Sequence, residues 1–232
     1  ARNRAVTENS ESDLDVMFSD RQAVGVSTSD VRVPTQDRAI RTRAALVEAA
    51  RAEFSARGYA ATTAKSIAER AGVAVGSFYQ YFRDKDAALR ELAESRYVSI
   101  GGETANLLAA ARAFNGTAAE ARALAALPMR RIVEIVIAFH REDPALHAVL
   151  TERRHADPEL DTLTSDAEAA LVARIAVLLR AFGRDSDVDA LAFTLFGMVE
   201  GSVHAHVLGR PLVSDERLTR TLVDALVVLA LP

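Results

Sequence analysis

No cysteine occurs among the 232 residues, which removes structural disulfides, thiolate zinc sites, cysteine nucleophiles and thiol-based redox sensing from consideration. No apolar run approaches the ~18 residues that cross a bilayer, and the opening residues lack the apolar stretch of a secretory signal. A cytoplasmic protein with no membrane partner is therefore expected. A glycine-rich phosphate loop, a G-x-S-x-G elbow and an H-E-x-x-H pair are all missing, so neither an enzyme nor a resident cofactor is expected. No segment alternates with the period of two that a half-buried strand requires.

What is present is a chain with 50% hydrophobic residues, enough to bury a small head and a larger body. Its helical spacings predict an all-α fold. The net charge of −4 argues against indiscriminate coating of nucleic acid, but the charge is uneven. Residues 37–86 carry nine Lys or Arg against six acids, or +3, which leaves −7 elsewhere. A basic head on an acidic body suits contact with phosphates by one part only, although a solvated helical surface would look the same by charge alone.

Three regions follow. Residues 1–36 scatter Ser, Thr and Asp among short apolar pieces without a sustained period and read as a mobile arm, its acids outnumbering its basic residues. Residues 37–83 read as a DNA-binding head. A first helix carries Ile40, Val47, Ala50 and Phe54 at helical spacing and stops near Gly58. Thr62 and Thr63 offer hydroxyl caps to a short helix through KSIAERA, Gly72 suits the positive φ that ends it, and a second short helix runs through VGSFYQYF. Ile67, Ala68 and Ala71 share one face, and Phe78 and Phe82 lie four apart on one face of the second. Two short helices about a tight glycine turn make a helix-turn-helix candidate, able to place one helix in a major groove.

At these residues the chain resembles the TetR family of bacterial transcriptional regulators. The resemblance runs from about Ile40 to Leu92 and rests on Phe54, Gly58, Tyr59, Thr62, Thr63, Ile67, Ala68, Ala71, Gly72, Val73, Gly76, Tyr79, Tyr81, Phe82, Lys85 and Leu89 at fixed spacing. One departure is Ala74, where family members often have a capping Ser or Thr; its absence costs the helix about 1 kcal/mol. The resemblance implies a ligand-responsive dimeric repressor on a palindromic operator of double-stranded DNA, released by a small-molecule effector. Lys85, Tyr79 and Tyr81 would hold phosphates, as would Thr62 or Thr63, while Val75, Gly76, Ser77 and Gln80 would face the groove. Arg41 and Arg43 would contact phosphate or minor groove, or else remain solvated.

Residues 84–232 read as a helical effector-binding and dimerisation domain. Asp84 can cap a long connecting helix, loosened near Gly101 and Gly102, and further helices are expected at roughly 118–141, with a fresh start possible at Pro128, then 144–154, 159–182, 187–208 and 214–231. By resemblance, the last two helices form the homodimer interface, with Gly197 and Gly201 one turn apart and Leu222 and Leu226 on an apolar stripe. Phe114, Met129, Phe139, Phe193, Phe196, with His204 as a polar group, are candidates for an effector pocket, and equally for ordinary core. His140, His147 and His155 look scattered along the sequence, His206 points away from Glu200 and His204, and no metal site is expected. An α-helical enzyme using Glu200 and His204, or a protein-interaction module, remain the rival readings.

Overall fold

The computed structural model describes residues 37–112 and 118–231, and leaves out the side chains of residues 103–125. The arm expected over residues 1–36 and the pocket candidate Phe114 lie outside the described residues. Every described element is a helix: α1 (Asp37–Ala61), α2 (Ala64–Arg70), α3 (Val75–Tyr79), α4 (Lys85–Arg112), α5 (Ala118–Glu142), α6 (Pro144–Arg154), α7 (Pro158–Ala181), α8 (Val188–Leu208) and α9 (Asp215–Ala230).

Local chemistry sets the head's corners. At Gly58, inside α1, φ is 71° and ψ 176°, a left-handed conformation that glycine adopts without steric penalty. Thr63 begins α2 with a reciprocal capping box, accepting from the Ser66 amide at 3.0 Å while the Ser66 hydroxyl accepts from the Thr63 amide at 3.1 Å. Gly72 closes the turn at φ 69°. The next helix starts at Ala74 without a side-chain cap, as the sequence implies, and it is shorter than VGSFYQYF suggests. Replacing Thr63 with alanine should lower unfolding free energy by about 1 kcal/mol in a urea titration, a loss that glycine at the same position would largely avoid.

The head core gathers Leu46, Phe54, Ile67, Phe78 and Phe82 and then continues beyond residue 83 into Ala88, Leu89 and Leu92 of α4, Leu146 and Val149 of α6 and Leu160 of α7. The body has its own core on α5, α7, α8 and α9, with Val133, Leu179, Val203, Leu222 and Leu226 among its buried members. Leu222 and Leu226 are 5% and 7% exposed. Their own subunit already buries them, so they do not furnish a dimer face as expected. Two expected interruptions also disappear: α4 runs through Gly101 and Gly102, with Arg174 donating to the Gly101 carbonyl at 3.0 Å, and α5 runs through Pro128.

One helix departs from the expectation of no bilayer-length apolar segment. By length and composition α8, with 21 residues, is apolar enough to cross a membrane. In the fold one face (Val188, Ala192, Leu195, Val199, Val203) is body core, while Phe193, Gly197 and Gly201 are exposed. Its apolar character therefore comes from an inner packing face plus an uncovered outer one, and the same helix carries Glu200 and His204 into a polar cluster.

Head and body are joined through two Asp-Pro corners. Asp143 caps α6 by accepting from the Leu146 amide at 3.0 Å, and its other oxygen takes the Ser55 hydroxyl at 2.7 Å and Arg51 at 3.0 Å. Asp157 caps α7 through the amides of Glu159 and Leu160 and pairs with Arg90 at 2.6 Å. Each carboxylate therefore starts a body helix at its favourable N-terminal end and also holds an arginine of α1 or α4.

Candidate functional site

The inward residues of the helix-turn-helix are fixed by packing. Phe78 is fully buried, with the Phe82 ring 5.5 Å away and Tyr79 edge-on at 5.4 Å. Because Phe78 and Phe82 are held inside, the residues between and before them are turned outward: Tyr79 is 56% exposed, and Gly76 and Gln80 are exposed. A Cβ added at Gly76 would meet nothing within 4 Å, so the space above this residue is open to an approaching partner. Ser77 is half-buried, and Val75 and Tyr81 pack partly against the head core. Arg41 and Thr63 are exposed, although the Thr63 hydroxyl also serves as the α2 cap.

Three of the residues expected at phosphates have partners within the chain itself. Lys85 donates through Nζ to the carbonyls of Tyr59 at 2.7 Å and Thr62 at 2.9 Å, and its ammonium lies 3.9 Å from the centre of the Tyr59 ring. Burial lowers its pKa. Two of its three hydrogens are directed at the carbonyls of Tyr59 and Thr62, so it first fastens the chain at the end of α1. The hydroxyl of Thr62 is wholly buried and donates to the Gly58 carbonyl at 2.7 Å. Arg43 pairs with Glu91 of α4 and lies 5.5 Å from the centre of the Phe82 ring. Tyr59 itself carries a second cation, Arg153, at 3.9 Å, and its hydroxyl donates to Asp86 at 2.6 Å. Burial together with the Asp86 carboxylate pushes that phenol up to about 12.

The aromatic pocket expected in the body does not assemble as a group. Met129 is core, Phe193 is 68% exposed on the outside of α8, and Phe196 is half-buried. Phe139 borders a small recess of about 180 Å³ with Ser99, Ile100, Ile135, Ala138 and Glu142, and Arg96 lies over its ring at 4.4 Å.

What does assemble is a histidine cluster that the sequence reading left apart. His140 at the end of α5, His147 in α6 and His204 in α8 present ring nitrogens that all lie within 4.8 Å of one another. Ring centres are 4.7 Å apart for His140 and His147, 5.3 Å for His147 and His204, and 5.8 Å for His140 and His204. His140 is fully buried; its Nδ1 lies 2.9 Å from the Val136 carbonyl and its Nε2 3.0 Å from Glu200 Oε1. The Val136 carbonyl can only accept, so Nδ1 carries a proton and Nε2 is the nitrogen turned toward Glu200. Burial alone would lower the His140 pKa, but the Glu200 hydrogen bond and charge outweigh it and the net shift is upward. Burial first, and then the neighbouring His140 and His204 rings, drive His147 down to about 4, so this ring is neutral at pH 7. No hydrogen bond among the described residues engages a ring nitrogen of His147 or His204. His155 and His206 stay outside the cluster, with His206 paired to Asp215 at 2.8 Å.

Comparison with known proteins covers both halves of the chain. The family profile described as bacterial regulatory proteins, tetR family, matches residues 46–92, and that described as tetracyclin repressor-like, C-terminal domain, matches residues 124–228. An uncharacterised HTH-type transcriptional regulator of Bacillus subtilis, YdgC, is 27% identical over 175 residues, covering 75% of this chain and 85% of its own. The HTH-type transcriptional regulator TtgR of Pseudomonas putida is 43% identical over 61 residues, covering 26% of this chain and 29% of its own. Among solved structures, a TetR-family regulator from Mesorhizobium loti superposes with a TM-score of 0.68 at 20% identity, covering 83% of this chain and 98% of that one.

Proposed function

This chain belongs to the TetR family of DNA-binding, ligand-responsive transcriptional regulators, and on that premise we propose that it works as a cytoplasmic homodimer that represses from a palindromic operator and is released by a small-molecule effector. In this reading residues 37–83 meet the DNA, and residues 84–232 carry the effector and the partner subunit. The observation that carries it is the division of α3: Phe78 locked inside, with Gly76, Tyr79 and Gln80 presented outside.

The groove-facing set is then Gly76, Ser77 and Gln80, with Tyr79, Thr63 and Arg41 at phosphates. A glycine allows close backbone approach, an amide can pair with an adenine edge, and a phenol and a guanidinium suit phosphate oxygens. Duplexes selected from a random pool should converge on a palindrome with half-sites one helical turn apart, about 34 Å. Tyr79→Ala should weaken binding to every sequence, whereas Gln80→Ala should cost about 1–3 kcal/mol for the preferred base pair and little for others. Selection that yields no palindrome, or two variants that bind like the parent, would sink this assignment.

The pairing surface rests on α8, whose Phe193, Gly197 and Gly201 recur at helical spacing on an exposed face. Glycines one turn apart let helices approach closely, and an uncovered phenylalanine supplies apolar area. Phe193→Asp should convert the dimer to a monomer in light scattering and weaken operator binding with it, since one head alone neutralises half the phosphates. A variant that remains dimeric would move the interface elsewhere.

A further inference from the structure

We propose that His140, His147, His204 and Glu200 form a binding site for a divalent first-row transition-metal ion of the borderline class, such as Zn²⁺ or Co²⁺. The arrangement makes little sense as packing alone. Three imidazoles share one niche between α5, α6 and α8, one fully buried and two half-buried, and the ring nitrogens of two of them have no hydrogen-bond partner among the described residues. His140 has its own partners in Val136 and Glu200, and an ion would give one to His147 and His204 as well, drawing the three rings and the carboxylate onto a single centre.

The dimensions fit a four-coordinate ion. With metal–nitrogen bonds of about 2.0–2.1 Å and tetrahedral angles, imidazole centres lie about 5.2 Å from one another. The observed separations of 4.7, 5.3 and 5.8 Å bracket that value. Ligand atoms on a tetrahedral edge are about 3.4 Å apart; Glu200 Oε1 and His140 Nε2 are 3.0 Å apart, and small rotations of the unbonded His147 and His204 rings bring in the other two. The Nδ1–H of His140 donates to the Val136 carbonyl at 2.9 Å, the outer bond that fixes a ligating histidine with its other nitrogen aimed at the ion. Glu200 and His204 lie one turn apart on the same helix, so α8 supplies two ligands from one face. Three imidazoles with one carboxylate suit zinc, cobalt or nickel better than magnesium or calcium, which take oxygen sets. Arg96 contributes a positive charge to the same corner and opposes binding, while Glu200 offsets it.

The site's place in the fold ties it to regulation, a step that rests on the function proposed above. His140 and His147 stand on either side of the Asp143 corner, whose carboxylate holds Arg51 and Ser55 of α1. An ion joining α5 and α6 to α8 would hold that corner in one arrangement and bias the position of the head, provided it binds the two arrangements with different affinity.

The test uses untagged full-length protein stripped with a chelator and titrated with Co²⁺, read by visible absorption. One equivalent per chain with the intense bands of a four-coordinate site is expected. His147→Ala with His204→Ala should abolish the bands, and Glu200→Gln, which removes the anionic ligand, should weaken binding by more than about the 10-fold that loss of an outer partner costs, with helical circular dichroism unchanged in each. Lack of stoichiometric uptake, or uptake that the variants leave intact, overturns the site; if the double variant loses helicity, His204→Gln alone decides. Operator binding is then measured with and without Co²⁺. A cobalt-dependent change in the parent that vanishes in His147→Ala with His204→Ala is expected, and equal affinities in the parent overturn the regulatory step alone. Cobalt bands in a protein that binds no DNA would instead refute the function proposed above and leave the site standing.

Discussion

Phe78→Ala is expected to destabilise the protein by about 3–5 kcal/mol in denaturant titrations and to abolish operator binding with it. The side chain is fully buried and touches the rings of Phe82 and Tyr79. Removing it opens a cavity beneath a helix of only five residues, which has no side-chain cap and too few turns to hold its shape unaided. Phe78→Leu keeps most of the volume and should cost less than half as much. If the alanine variant retained both stability and DNA affinity, α3 would not depend on this anchor, and the outward display of Gly76, Tyr79 and Gln80 would need another cause.

Asp143→Ala should cost about 2–4 kcal/mol, more than an exposed ion pair would suggest. One carboxylate caps α6 and receives both Ser55 and Arg51, so its loss leaves the Leu146 amide uncapped and removes one acceptor each from Ser55 and Arg51, which keep the Arg51 carbonyl and the Glu48 carboxylate. Burial alone would raise the Asp143 carboxyl, but the Leu146 amide, the Ser55 hydroxyl and Arg51 outweigh it, and the pKa falls below the ordinary carboxylate range. A carboxylate whose folded pKa is depressed contributes stability that is present above its unfolded pKa and is lost as pH falls through the folded one. Acid unfolding should therefore begin below about pH 4 and lose part of its steepness in Asp143→Asn. A double-mutant cycle with Arg51→Ala separates the ion pair from the cap; zero coupling would assign the whole loss to the cap.

The head was legible because its determinants are local. A threonine three residues before its serine partner, a glycine at each corner and two phenylalanines one turn apart are all read within a single turn or two. The intrachain partners of Lys85, Thr62 and Arg43 were not legible for the opposite reason. Residue type and position place each near the helix-turn-helix, but the acceptors of Lys85 are 26 and 23 residues away, and that of Arg43 is 48 residues away. The histidines follow the same rule over greater distance: Glu200 lies 60 residues from His140, and only the crossing of α5, α6 and α8 makes them neighbours. A faint signal was available only in α8, where Glu200 and His204 are one turn apart; the Asp143 corner between His140 and His147 hides their relation from any single helical period. Leu222 and Leu226 show a further limit. A stripe of leucines states that a helix face is covered, but not whether its own subunit or another does the covering.

The Lys85 fastening has a geometric consequence. By tying the first residue of α4 to the carbonyls that end α1, it makes the start of that helix part of the same rigid piece as the head. With 28 residues, α4 is about 42 Å long, so a tilt of about 5° at its far end carries the head through roughly 3–4 Å, close to the 3.4 Å between successive base pairs. A movement too small to disturb the packing of the body would therefore be enough to put a bound head out of step with its half-site by one rung of the duplex.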